Sequence, residues 1–168
     1  MYCGRLFSYR PGARPVLLIP HEEMGRGKDL AGQEWKGLRM GIEAGMSHTE
    51  SVIVNKGNIA SAVGSGLVDV FATPMMVALL ELAASQCIAS ALEAGQVSVG
   101  THVDVEHSGA TPVGMRVSAT ATVTAVERRR VDFEVVVKDE VGEVGRGRHT
   151  RFIVDKAKFM EKAQAKAK

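Results

Sequence analysis

The chain has 168 residues, of which 45% are hydrophobic, and this suits one domain with a sizeable core. Its 21 Lys and Arg nearly balance its 19 Asp and Glu, and the formal net charge of +2 gives no sign of a nucleic-acid or membrane partner. The two cysteines, Cys3 and Cys87, lie near a terminus and inside an apolar segment. We therefore expect no disulfide and a cytoplasmic location.

Residues 1–46 differ in composition from the rest of the chain. They are rich in Gly and Pro, and their only compact apolar run is VLLI at 16–19. That run is too short for the core of a signal peptide. We expect residues 1–46 to be a poorly ordered or non-native extension.

Regular structure is predicted from residue 47 onward. Residues 51–55 (SVIVN) are typical of a short strand, and residues 57–66 form a small-residue connection, here called the lid segment. A helix is then predicted from residue 74 to about residue 94. Thr73 would be its N-cap, with a proline at the first helical position, and Gly95 would end it.

Four strands are predicted after the helix, at 99–107, 114–126, 131–138 and 144–154. The second alternates strictly, and its apolar face comprises Met115, Val117, Ala119, Ala121, Val123 and Ala125. In the last strand His149, Arg151 and Ile153 share one face. The basic tail, residues 161–168, is expected to be solvated.

A helix that is apolar on nearly every face requires a sheet that curls around it. The predicted order of elements therefore indicates an α+β hotdog fold over residues 47–160, with a curved antiparallel sheet wrapped around one long central helix. A single copy would leave an edge strand and part of the helix uncovered. We therefore expect a homodimer.

Glu81 is the only charged residue between positions 74 and 92. A carboxylate on an apolar helix face loses hydration, at a cost of several kcal/mol unless it is paired or protonated. Such carboxylates concentrate at functional sites. The structural alternative is a glutamate that caps a backbone group or meets an arginine. Glu81, with Gln86 and two serines, also argues against a membrane span.

Three segments of the chain resemble the fluoroacetyl-coenzyme A thioesterase type of hotdog protein. They are VFATPMMVALLELAA at 70–84, GTHVDVEHSGATPVGMRV at 100–117 and GRGRHTRFIV at 145–154. The resemblance extends over roughly residues 47–160. It implies hydrolysis of an acyl-CoA thioester at a dimer-interface site.

The resemblance also implies the residues of that site. It assigns Thr73, Glu81 and His107 to a catalytic group, Gly100 to a backbone amide that meets the thioester oxygen, and Arg151 to a position near the substrate. A threonine hydroxyl is a weak nucleophile until a base takes its proton, and histidine titrates near neutrality. Thr73 is either the nucleophile or the group that holds the water. Glu81 is open to three roles: base, direct nucleophile, or the group that orients the imidazole.

No cofactor is expected, and coenzyme A enters only as part of the substrate. We also expect no metal site, because His102 is five residues from His107 and so points to the other face of its strand. The alternative function is a non-catalytic hotdog protein that binds acyl-CoA or an acyl carrier as a sensor or carrier.

One position departs from the pattern of the fluoroacetyl-specific enzyme. Leu67 stands where that enzyme has an aromatic gate residue, just before the FAT motif. We therefore do not expect fluoroacetyl specificity. The small, apolar lid segment favours a short or medium acyl chain.

Overall fold

The computed structural model describes residues 41–167, together with the backbone of two short strands, β1 (Gly27–Lys28) and β2 (Glu34–Trp35), which pair antiparallel. The predicted extension, residues 1–46, otherwise lies outside the described residues up to position 40. Residues 41–46 belong to the second of two compact units, Met40–Lys168. Within this unit Met46 packs against the hydrophobic core, and the Gly45 N–H donates to the Val123 carbonyl at 2.8 Å.

The second unit contains a five-stranded antiparallel sheet. Its strands are β3 (Ser47–Ile53), β4 (Gln96–His107), β5 (Arg116–Glu127), β6 (Arg130–Lys138) and β7 (Glu143–Asp155). The order across the sheet is β3-β5-β6-β7-β4, which leaves β3 and β4 as the two edges. All five predicted strands are present. Their ends differ from the prediction by up to four residues. Pairing with a neighbouring strand extends the starts of β3 and β4, whereas β3 ends and β5 begins two residues inside the predicted limits.

Three α-helices accompany the sheet in the described residues: α1 (Ala60–Val63) in the lid segment, α2 (Thr73–Ala89) and α3 (Lys156–Gln164). The predicted boundary between the domain and the basic tail, at residue 161, falls inside α3. The prediction that Thr73 caps α2 is wrong. Ala72 occupies the N-cap position, and Thr73 is the first helical residue. The predicted end near residue 94 is also wrong. The helix ends at Ala89, and Gly95 adopts its left-handed φ of 83° in the following loop.

The sheet curls around α2, and the core lies between them. The helix contributes Met76, Leu80, Ala83, Ala84 and Ile88 to this core. The predicted alternation of β5 is confirmed from Val117 to Val123, all of whose odd-numbered residues are buried. It fails at Ala125, which is exposed, because the pairing register with β6 shifts between Val123 and Ala125.

One stripe of α2 is left uncovered within the chain. It comprises Ala78, Leu82, Gln86 and Ala89, and Leu82 is 47% exposed. None of the helices in residues 41–167 is long and apolar enough to cross a membrane. The fold prediction assigned an edge strand and the uncovered part of the helix to a second copy, and the edge strands of this sheet are β3 and β4.

We expect Gly147→Ala to destabilise the protein, because β4 passes very close to Gly147. A Cβ atom there would meet the Asp104 carbonyl and the Val105 Cα (at 2.6 Å for the latter), and neither backbone atom can move cheaply. Overpacking of this kind typically costs about 1–3 kcal/mol. Denaturant unfolding would measure the change. Gly142→Ala, at a position with nothing within 4 Å, is the matched control, and equal unfolding free energies for the two variants would contradict the prediction.

Candidate active site

Thr73 and His107 meet where α2 begins and β4 ends. The Thr73 Oγ1 and His107 Nδ1 atoms are 2.8 Å apart. The hydroxyl is thus occupied with an imidazole, and it does not cap the helix. The segment just before it is fixed on both sides, because the Phe71 N–H donates to the Thr111 carbonyl and the Ala72 N–H donates to the Asn58 carbonyl.

Asn58 and Thr111 are both buried and anchor this segment through their side chains. Asn58 Oδ1 accepts from the Asn55 N–H at 2.7 Å, and its Nδ2 donates to the Ile53 carbonyl at 3.1 Å. Thr111 Oγ1 donates to Asp139 Oδ2 at 2.9 Å. Buried polar groups that are fully hydrogen-bonded restrict local motion. The start of α2, and with it the Thr73 hydroxyl, is therefore held in one place.

The imidazole of His107 is suited to accept a proton. Burial lowers the pKa of His107, and the backbone of Gly109 opposes this shift. Since the ring is then neutral near pH 7, Nδ1 can accept the Thr73 hydroxyl hydrogen. Within the described part of the chain, Nε2 is buried and has no hydrogen-bond partner.

Thr73 and His107 line a cavity of about 320 Å³ together with residues of the lid segment and of the loop after β4. A larger cavity of about 730 Å³ is lined by residues of β4 to β7 such as Asp104 and Arg148, and by none of the predicted site residues. In this larger cavity the Thr150 hydroxyl donates to Asp132 Oδ1 at 2.7 Å. Residues 41–167 contain no group of three or more His, Cys, Asp or Glu side chains placed to hold a metal ion.

Arg151 organises a second group of residues on the helix-facing side of the sheet. Its side chain is buried, and its Nη1 donates to Glu81 Oε2 at 3.3 Å and to the Glu81 carbonyl at 3.2 Å. Nε and Nη2 donate to the hydroxyl and carbonyl oxygens of Ser98, both at 2.8 Å. Burial lowers the pKa of Arg151 and Glu81 raises it, yet an arginine stays charged. The guanidinium thus joins α2 to β4 and β7.

Glu81 meets an arginine, as the structural alternative for this residue supposed, and its side chain keeps 38% of its surface exposed. Gly100 lies directly against it. A Cβ atom at position 100 would be 2.7 Å from Glu81 Oε2 and 3.1 Å from His149 Cε1. The absence of a side chain at Gly100 is therefore what lets the carboxylate approach β4.

The predicted site residues form two separate groups within one chain. Thr73 and Glu81 are eight residues apart on α2, a rise of about 12 Å. The structure brings Thr73 to His107, and it brings Gly100, Glu81 and Arg151 together. It does not bring the three predicted catalytic residues into mutual contact.

A bulge in β4 sets which residues face the helix. The register with β7 shifts between Gly100 and His102, so Thr101 is an extra residue. Gly100 and His107, seven residues apart, would lie on opposite faces of a regular strand. With the bulge both face α2, while His102 points away as predicted.

The sequence reasoning missed two residues of the Arg151 group, Ser98 and His149. His149 is fully buried, stacks on Phe133, and accepts from Arg151. A signal existed for each of them. His149 shares the strand face of Arg151 two residues away, and Ser98 precedes Gly100 by two residues.

Comparisons with known proteins identify the family and the fold of the chain. A family profile described as fluoroacetyl-CoA-specific thioesterase matches residues 40–157. The chain belongs to this family. The fluoroacetyl-CoA thioesterase of Streptantibioticus cattleyicolor is 42% identical over 98 residues, which are 58% of this chain and 70% of that protein.

Solved structures support the same assignment. The structure of the fluoroacetyl-CoA thioesterase FlK matches with a TM-score of 0.72 and 34% identity, over 75% of this chain and 98% of that one. A hypothetical protein of Thermus thermophilus, described as a thioesterase superfamily member, matches with a TM-score of 0.69 and 29% identity, over 77% and 99% of the two chains. The predicted hotdog fold is confirmed.

We expect His107 to titrate below the ordinary histidine pKa of about 6.5, because burial disfavours its charged form. A lowered folded-state pKa means that the unfolded chain binds more protons between the two values. The free energy of unfolding should therefore fall as pH decreases through that window. NMR titration of the imidazole would measure the midpoint, with His107→Gln to assign the signal. A midpoint above 6.5 would contradict the prediction.

Proposed function

We propose that the protein hydrolyses an acyl-coenzyme A thioester to the free acid and CoA, with Thr73 as the nucleophile and His107 as its base. The observation that carries this proposal is the 2.8 Å contact between the Thr73 hydroxyl and Nδ1 of His107 at the wall of a cavity. A nucleophile in hydrogen-bond contact with a base is the arrangement that acyl transfer requires. Membership of a thioesterase family supports the same reaction class.

The proposed reaction has two steps. His107 takes the hydroxyl proton as Thr73 Oγ1 attacks the thioester carbon, the C–S bond breaks, and the CoA sulfur leaves with that proton. Water then attacks the resulting ester, which releases the acid and restores the Thr73 hydroxyl. Thr73 opens α2, so the positive end of the helix dipole lies where the oxyanion develops. Glu81 would act as the base for the water, and the Gly100 amide would donate to the thioester oxygen.

This assignment requires two copies of the chain, because Thr73 and Glu81 lie about 12 Å apart along one helix. Strand β4 is an open edge, and antiparallel pairing of two such edges about a two-fold axis would extend the sheet. If that pairing is centred between Val103 and Asp104, Gly100 of one copy lies opposite His107 of the other. The exposed stripe that contains Leu82 supplies apolar surface for the same association.

We further propose a short or medium acyl group and no marked preference for fluoroacetyl-CoA. Leu67 is 99% exposed and lies one residue before Val68, which lines the cavity. An aliphatic side chain at this place presents no aromatic face to the acyl group. We keep the cytoplasmic location as part of the proposal, since Cys87 is a buried free thiol.

Thiol release from a panel of acyl-CoAs of increasing chain length, with fluoroacetyl-CoA included, would test the activity. We expect turnover with the wild type and a loss of two or more decades in kcat for Thr73→Val and for Glu81→Gln, on the order of what a missing catalytic group costs. Glu161→Gln, the same substitution at an exposed glutamate on α3, is the matched control. If no thioester turns over while acyl-CoA still protects the fold against heat, the protein is a binding protein instead.

Mixing two inactive variants would test the shared site. In a dimer of one Thr73→Val copy and one Glu81→Gln copy, one site carries both substitutions and the other carries neither. Random exchange of subunits should therefore restore about a quarter of the wild-type activity. Each variant incubated alone is the control. If the mixed sample stays inactive although mass spectrometry shows mixed dimers, each site is built from one copy.

A further inference from the structure

His149 is the one fully buried histidine of the described chain, and the proposed reaction gives it no role. It lies on β7 two residues before Arg151, and the ring of Phe133 on β6 stacks on it with centroids 6.1 Å apart. Its two nitrogens have different partners. Nδ1 is 2.8 Å from the His102 carbonyl oxygen, and Nε2 is 3.2 Å from Arg151 Nη1.

These two partners dictate the protonation state of His149. A carbonyl oxygen can only accept a hydrogen bond, so Nδ1 must carry the hydrogen. A guanidinium can only donate, so Nε2 must be bare. The ring is therefore neutral and fixed in one tautomer, and protonation would place a second N–H against Arg151.

The Nη1 group of Arg151 is shared between His149 and Glu81. The two hydrogens of this nitrogen are shared among three acceptors: His149 Nε2, Glu81 Oε2 and the Glu81 carbonyl oxygen. The imidazole therefore helps to determine where this nitrogen sits, and this nitrogen determines where the Glu81 carboxylate sits. On the β4 side both groups are bounded by the backbone at Gly100, which lies against the Glu81 and His149 side chains.

We propose that His149 is a positioning residue for thioester hydrolysis: its neutral ring fixes the Arg151 guanidinium, which in turn holds the Glu81 carboxylate in its working orientation. The proposal rests on the proposed role of Glu81. His149 itself touches no substrate and transfers no proton.

The proposal predicts a pH dependence. The charged groups beside His149 are Arg151 on β7 and Glu81 on α2, and Phe133 on β6 is uncharged. The imidazole of His102 lies on the other face of β4 and acts on His149 only through its charge. Burial lowers the pKa of His149, hydrogen bonding to the His102 backbone raises it, and the charge of Arg151 lowers it further. Activity should fall in acid as the ring becomes protonated, because Nε2 then no longer accepts from Arg151.

Two variants separate positioning from simple packing. His149→Gln keeps an acceptor near the place of Nε2, and His149→Leu removes it. We expect His149→Leu to lower kcat roughly 10- to 100-fold and to lower KM with it, because slower attack by water lets the Thr73 ester accumulate. His149→Gln should stay within a few-fold of the wild type. His102→Gln is the matched control, because only the backbone carbonyl of His102 contacts His149.

The pH dependence of the rate separates the two roles, because a residue that only packs in the core would not change the slope of the acid limb. Because His149 acts through Glu81 on the water step, the acid limb is measured in log kcat. In the wild type both His107 and His149 must be neutral, so this limb should be one proton steeper than in His149→Gln, and His102→Gln should keep the wild-type slope. A folded His149→Leu with wild-type kcat, or an unchanged acid limb in His149→Gln, would overturn the proposal.

NMR of the imidazole nitrogens tests the proposal without turnover. We expect His149 of the wild type to show a single neutral tautomer with hydrogen on Nδ1 at pH 7, and this signal should be absent in both His149 variants. A protonated ring, or a mixture of tautomers, would overturn the inference even if the enzyme is active. Absence of turnover in the wild type with the expected tautomer would instead refute the proposed function and leave the buried contact intact.

Discussion

The candidate site depends on the hydrogen bonds made by the buried guanidinium of Arg151. A buried charge is costly unless its hydrogen bonds are satisfied. Arg151 satisfies its donors on α2, β4 and β7 at once. The central helix therefore cannot shift along the sheet without breaking hydrogen bonds to a buried charge, and the position of Glu81 is fixed along with it.

The N-terminal end of α2 is fixed by different chemistry. There the anchors are neutral, with the backbones of Asn58 and Thr111 bonded to the two residues that precede Thr73. One end of the helix therefore holds a hydroxyl beside a neutral imidazole, and the middle of the helix holds an ion pair. Thioester hydrolysis needs both a nucleophile with its base and a negative group that can act on water. The chain places Thr73 and Glu81 on one rigid element, about 12 Å apart along the helix axis.

The fold was predictable from sequence because it follows from periodicity. The apolar helix and alternating strands such as β5 indicate which faces are buried. A helix that is apolar on nearly every face can be buried only if the sheet curls around it. The points that failed depend on partners that are distant in sequence. Thr73 has the residue type of an N-cap, but His107, 34 residues away, holds its hydroxyl. Ser98 lies before the predicted start of its strand, since only pairing with β7 extends β4 that far. The family resemblance named Thr73, Glu81 and His107, and the eight-residue spacing on one helix already separates Thr73 from Glu81. Which of the two His107 meets depends on a contact across 34 residues of sequence.

The extra residue in β4 links the number of residues in this segment to the geometry of the site. Gly100 and His107 face the same side only because Thr101 shifts the alternation once between them. Side chains alternate between the two faces of a strand, so the number of residues between Gly100 and His107 decides whether both face the same side. Insertion or loss of one residue there would turn one of the two outward, whereas a change of two residues would preserve both orientations. Length variation among proteins built on this plan should therefore occur in even steps within this stretch of β4.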